Sequence, residues 1–177
     1  MQRTTAWSFT ATLALSSVLA CTDSGIPSAP PVLENGPQFT ASAGVTNLTL
    51  VRANAGTIDA GSTYNDLGFV SKLKTHANTD IVVNNNTMTA GGTSGWHTHP
   101  GITIVAIKAG ALTLYDGDDP LCEPKVYTAG QAFVESGSHV HIARNEGGVT
   151  AEWFTTYIVP AGGPTRIDAP APGTCPF

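Results

Sequence analysis

A succession of short β-type runs, separated by strong turn formers, constrains this chain more than any other feature. The runs are Val45 to Arg52, Ile81 to Thr89, Ile102 to Lys108, Ala111 to Tyr115, Lys125 to Tyr127, Gln131 to Val134, His139 to Arg144 and Thr150 to Pro160. Between them stand Gly91-Gly92, Ala109-Gly110, Asp116-Gly117-Asp118-Asp119-Pro120, Ser136-Gly137-Ser138 and Glu146-Gly147-Gly148. Such residues reverse the chain through left-handed or proline-restricted backbone and through side chains that bond their own main chain. Many short strands at close spacing predict a β-sandwich or barrel. With 19 Gly and 12 Pro in 177 residues, and few Lys, Glu, Arg or Met, helices are disfavoured. Tyr64 to Lys74 is read as holding at most one helical turn.

The first residues read as a processing segment. Arg3 is the only charge before Asp23, and Ala6 to Ala20 is a short apolar stretch broken by hydroxyls. That describes a signal peptide over residues 1–20 rather than a membrane span. The stretch ends Val18-Leu19-Ala20-Cys21, which resembles a bacterial lipoprotein signal, with Cys21 lipidated and anchoring the chain to the membrane. Leu19 stands where a small residue is usual, so ordinary cleavage nearby stays open. Residues 21–38 read as a flexible linker, 39–168 as the barrel and 169–177 as a tail over its surface. The implied location is periplasmic or cell-surface. There, Cys122 and Cys175 form an even pair, both in Pro-rich loops, and read as a disulfide. A formal net charge of −5 with no Lys/Arg cluster argues against a nucleic-acid partner.

Chemistry concentrates in the histidines. Of 5 in the chain, four fall into two i, i+2 pairs, His97-Thr98-His99 and His139-Val140-His141. On a strand, i and i+2 share a face, so each pair aims two imidazoles at one side. Clustered imidazoles suit iron, zinc, copper, nickel and manganese.

The stretch Gly91 to Gly110, with His97, His99, Pro100 and Gly101, resembles the first motif of the cupins. The stretch Gly130 to Asn145, with His141, resembles their second. The resemblance spans roughly Asp80 to Pro160 and implies an all-β cupin jelly-roll barrel in a single domain. It also implies that His97, His99 and His141 bind one divalent transition metal, iron first, with Mn, Zn, Ni and Cu open.

Two positions depart from the family pattern. Thr103 stands where the family has a glutamate ligand, and Ser136-Gly137-Ser138 replaces a Pro-x-Gly turn. What survives resembles the neutral three-histidine iron site of thiol dioxygenases. His139 is a weaker ligand candidate, read as lining the mouth. Glu135 is the nearest carboxylate in sequence, read first as a solvent-facing loop residue and second as a substitute for the missing glutamate. Trp96 is expected in packing, His76 on the surface, and Arg144 and Asn145 as turn and surface elements. Two readings follow for a small-molecule partner. One is a metal-dependent oxidoreductase of dioxygenase type, its catalytic residues unassigned. The other is a non-catalytic ligand- or metal-binding module of the cell envelope. Pairing of two copies is open.

Overall fold

The computed structural model describes residues 38–177. The proposed leader, Cys21 and the linker up to Pro37 lie outside the described residues. The first strands are β1 (Ala43–Gly56), β2 (Asp59–Tyr64), β3 (Phe69–Lys74), β4 (Thr79–Thr93), β5 (His97–Thr98) and β6 (Ile102–Ala109). Six more follow: β7 (Ala111–Asp116), β8 (Lys125–Thr128), β9 (Ala132–Glu135), β10 (His141–Arg144), β11 (Ala151–Pro160) and β12 (Ile167–Asp168). Ten of them form one antiparallel sheet, in which β4 is flanked by β1 and β11. β11 continues to β6 and β6 to β9, while β10 pairs with β7, β5 and the end of β4.

Alternation of side chains builds the interior. On β4, Val82, Asn84, Asn86 and Met88 are buried, and Ile81, Val83, Asn85 and Thr87 between them are half-buried. β11 repeats this with Ala151, Trp153, Thr155 and Tyr157 inward. Met88, Val105, Ile107, Leu112 and Trp153 close one apolar cluster, each contributing about 1.5–3 kcal/mol by leaving water. The three consecutive asparagines of β4 have poor strand propensity. Long pairing on both edges overrides it.

A second cluster, Trp96, Tyr115 and Ile142, is covered by the chain end. Phe177 stacks on Trp96 at 6.3 Å between ring centroids, and Trp96 Nε1 donates to the Phe177 carbonyl at 3.3 Å. The disulfide Cys122–Cys175 fastens this tail with Cα atoms 5.3 Å apart. Its sequence separation of 53 corresponds to about 4 kcal/mol in the chain-entropy account.

The structure differs from the sequence expectation in two strand segments. Asp59 to Lys74 is a two-stranded hairpin, β2 with β3, and its helical turn is a single 3-10 turn, Asn65–Leu67. Strand β10 begins at His141, because Ser138 takes a left-handed φ of 66° and the chain has not yet joined the sheet at His139.

Candidate metal centre

The short ladder between β5 and β10 puts His97 directly opposite His141. His99 follows β5 by one residue and shares the face of His97. All three are buried, and their candidate ligand atoms lie within 4.8 Å of one another. Ring centroids are 4.3 Å apart for His97 and His141, 4.9 Å for His97 and His99, and 5.1 Å for His99 and His141.

Main-chain carbonyls orient each ring. His97 Nδ1 donates to Gly95 O at 2.9 Å, His99 Nδ1 to Thr165 O at 2.6 Å and His141 Nδ1 to His139 O at 3.0 Å. A carbonyl oxygen can only accept, so in each ring the Nδ1 carries the hydrogen. A neutral imidazole fixed this way presents the lone pair of Nε2, the arrangement that holds metal-binding histidines in place. Gly95 makes the first of these bonds from a left-handed φ of 68°, and a Cβ there would collide with the Thr40 carbonyl. Burial, then the neighbouring His141, Arg166 and His99, push the His97 imidazole down to about 2. Its ring is therefore neutral throughout the working pH range.

Glu135 completes the cluster. Its Oε1 lies 3.0 Å from His141 Nε2 and its Oε2 lies 3.2 Å from His99 Nε2, with the side chain 10% exposed. Burial acts to raise this carboxyl; where the facing His141 and His99 carry a proton on Nε2 they outweigh burial and hold it at about 2. The expectation of a solvent-facing loop residue is thus corrected. Glu135 is the last residue of β9, inward like Phe133, while Ala132 and Val134 face out. Its phase with Phe133 was the available sequence signal. The approach to His141 is close but not aligned as a hydrogen bond, and His141 Nε2 stays buried without one.

The histidines open onto a cavity of about 300 Å³. Phe133 and Trp153 form part of its apolar wall, with Asn84, Asn86, Thr103 and Tyr157 on its polar side. Asn86 Nδ2 donates to Thr155 Oγ1 at 2.9 Å, but Asn84 Oδ1, Asn86 Oδ1 and Thr103 Oγ1 have no hydrogen-bond partner among the described residues. Burial raises the Tyr157 hydroxyl to about 12, so it remains a donor at neutral pH. Arg166 lines the same space, with Nε bonded to Asp168 at 2.7 Å.

Other candidates fall outside the cluster. His139 is 38% exposed and faces Asp118, 3.1 Å from its Nε2, so its side chain is not with the other three. What it supplies is the carbonyl that orients His141. Trp96 is buried packing, and His76 is exposed. Asn145 is a turn element but not a surface one. It is 1% exposed, with Nδ2 donating to the Met88 and Val149 carbonyls at 2.8 Å and Oδ1 accepting from Gly147 N at 3.1 Å. Arg144 lies over the Phe177 ring at 4.3 Å.

Residues 86–157 match the family model described as Cupin domain. The fold is the cupin jelly roll. Among solved structures, a Cupin 2 conserved barrel domain protein from Leptotrichia buccalis is 13% identical to this chain, at a TM-score of 0.43. That likeness covers 63% of this chain and 39% of the Leptotrichia chain, so the protein spans well under half of that relative. The cupin domain of an XRE family transcriptional regulator from Enterobacter cloacae is 14% identical at a TM-score of 0.41, covering 66% of this chain and 97% of that one. A predicted oxalate decarboxylase from Thermotoga maritima is 16% identical at a TM-score of 0.38, covering 47% and 81%. Comparison with curated protein sequences gives no match.

Proposed function

We propose that this protein is an exported cupin whose His97, His99 and His141 hold one divalent transition metal beside a cavity for a small polar molecule. The observation that carries the reading is the triple Nδ1 anchoring, which turns three Nε2 atoms toward one another in a buried space. Convergent lone pairs repel, and a buried nitrogen without a partner costs roughly 1–3 kcal/mol. His141 Nε2 is such an atom. A divalent cation removes both costs, so the residues present fit a metal. Imidazole donors suit iron, zinc, copper and nickel alike; the family resemblance puts iron first, with Mn, Zn, Ni and Cu as the other candidates. A metal held there would supply Lewis acidity and, where redox-active, one-electron chemistry of the dioxygenase kind.

The chain's own residues define the partner molecule. Unpaired acceptors on Asn84, Asn86 and Thr103 favour a ligand carrying hydroxyl or amine donors, and the Tyr157 hydroxyl donates to it. Arg166 attracts an anionic end. The alternative is a non-catalytic binding module. Its support is that the polar wall is largely amide and hydroxyl side chains, which hold a ligand but exchange no proton near neutral pH.

Export, with a leader over residues 1–20 and a lipid anchor at Cys21, belongs to the same proposal. The Cys122–Cys175 bond supports it, since such bonds persist in oxidising compartments. A homodimer through the outer face of β6, β9 and β11 is included, supported by exposed Ile102, Ile104, Val134 and Phe154.

The test is metal content. The full chain, expressed in an oxidising compartment and offered Fe, Mn, Zn, Ni and Cu, should retain about one equivalent by mass spectrometry. The paired His97→Ala/His141→Ala variant should retain almost none. Less than about a tenth of an equivalent in the parent sinks the metal reading. With iron bound, oxygen uptake across thiols, diketones and phenols separates oxygenase from binder.

A further inference from the structure

The family resemblance places a glutamate at position 103, and this chain has Thr103 there. Thr103 is 1% exposed and cannot reach far, because its hydroxyl sits on the β carbon. In the β6–β9 ladder, the residue directly opposite Thr103 is Glu135. Directly opposed residues of an antiparallel pair project from the same face with their β carbons about 5 Å apart. A carboxylate on either strand is therefore aimed at the same interior.

The distances extend the argument. Each oxygen of Glu135 lies 3.0 or 3.2 Å from a histidine Nε2, one on His141 and one on His99. Around a divalent transition metal with ligand bonds of about 2.0–2.2 Å, neighbouring donor atoms sit roughly 3.0–3.4 Å apart. Glu135 thus stands at the spacing of a co-ligand of His99 and His141. The small Thr103 leaves it room. Two glutamates facing each other here would instead repel.

We propose that Glu135 is the fourth protein ligand of the metal, its carboxylate carried across the ladder from position 103 to the opposite strand. This rests on the metal reading above. The centre becomes three histidines and one glutamate rather than a neutral three-histidine set. One positive charge of a dication is cancelled inside the barrel. An ion of six-fold preference then has two coordination positions left for the small molecule, not three. Preference shifts from an anionic tridentate chelator toward a bidentate ligand of low charge.

The competing role for Glu135 is a counter-charge that only pairs with protonated histidines in the metal-free chain. Cobalt(II) binding to the full chain separates the two, read by competition with a chromophoric chelator and by the visible ligand-field spectrum. Glu135→Gln should weaken cobalt affinity by about 100-fold and change the spectrum. The swap Thr103→Glu/Glu135→Thr should recover affinity to within about tenfold of the parent. Glu135→Gln with affinity within about threefold and an unchanged spectrum overturns the proposal. Should Glu135→Gln fail to fold, the swap alone decides: recovered affinity supports the ligand role, and none overturns it. A parent that binds no cobalt overturns the metal reading itself, which is a different outcome from a parent that binds as well without the carboxylate.

Discussion

Asp80 and Glu135 are both carboxylates withdrawn from solvent, and their partners are opposite in kind. Asp80 accepts from Arg52 Nη1 at 2.8 Å, Asn54 Nδ2 at 3.1 Å and Gly162 N at 2.9 Å. All three are donors, and they join β1, β4 and the turn after β11. Glu135 faces two imidazole nitrogens that carry lone pairs whenever those rings are neutral. Asp80 is completed by the chain, whereas Glu135 and its histidines need a proton or a metal from outside it. A satisfied polar cluster is a fastening. An unsatisfied one, retained beside a cavity, marks a place where something binds.

The contrast predicts which cluster responds to metal. Saturating divalent metal, at about a thousand times its Kd, should stabilise the parent by roughly 4 kcal/mol, and a chelator should remove that increment. Calorimetry should show the increment absent in His141→Ala and intact in Asp80→Asn, since separated clusters behave additively. Loss of the increment in Asp80→Asn would mean that the two clusters are one cooperative unit.

A smaller effect belongs to Asp80 itself. Asp80→Asn should lower Tm by several degrees at pH 7, equally with and without metal. The backbone bond from Gly162, with Asn54 and Arg52, holds the Asp80 carboxyl below its ordinary range. The folded value is therefore depressed, so its stabilisation is present above the unfolded value of about 3.9 and is lost as pH falls through the folded one. The Tm gap between parent and variant should accordingly narrow below about pH 4. A gap that stays constant down to pH 3 would show that the charge of Asp80 contributes nothing.

The same contrast explains what was legible in the sequence. Strands with one buried face, such as β4 and β11, show their alternation in the residue order: the run Thr150 to Pro160 matches β11, while Ile81 to Thr89 covers the middle of β4. The β2–β3 hairpin buries almost nothing, so Asp59 to Lys74 carries no such alternation. His97, His99 and His141 were visible through spacing and family motif. Parity makes His139 only a weaker ligand candidate, and the structure leaves it outside the cluster, because an i, i+2 rule holds only where both residues are in the strand. Glu135 was harder to see. Its phase with Phe133 puts it on the inward face, but its partner across the ladder, Thr103, follows from the register between β6 and β9, a long-range pairing that local spacing does not encode. The donors of Asp80 come from residues 52, 54 and 162, and are equally invisible until the barrel closes.

The smallest effect is the sharpest test of the contrast, because it concerns one atom. Thr103 Oγ1 is buried with no hydrogen-bond partner among the described residues, directly across the ladder from Glu135. Thr103→Val keeps the shape and removes the orphaned hydroxyl. Where a buried polar group is already unsatisfied, its replacement by an apolar isostere is neutral or stabilising. The expected result in the metal-free chain is a Tm equal to or above the parent's, by up to about 1 kcal/mol in stability. Cobalt affinity should stay within about twofold, since Thr103 is not a ligand in this account. A destabilisation of more than about 1 kcal/mol would mean that the hydroxyl donates in solution. Its nearest use would then be to hold the Glu135 carboxylate. In that event this corner of the site would be completed by the chain in the manner of Asp80, and only the histidines would still need a partner from outside.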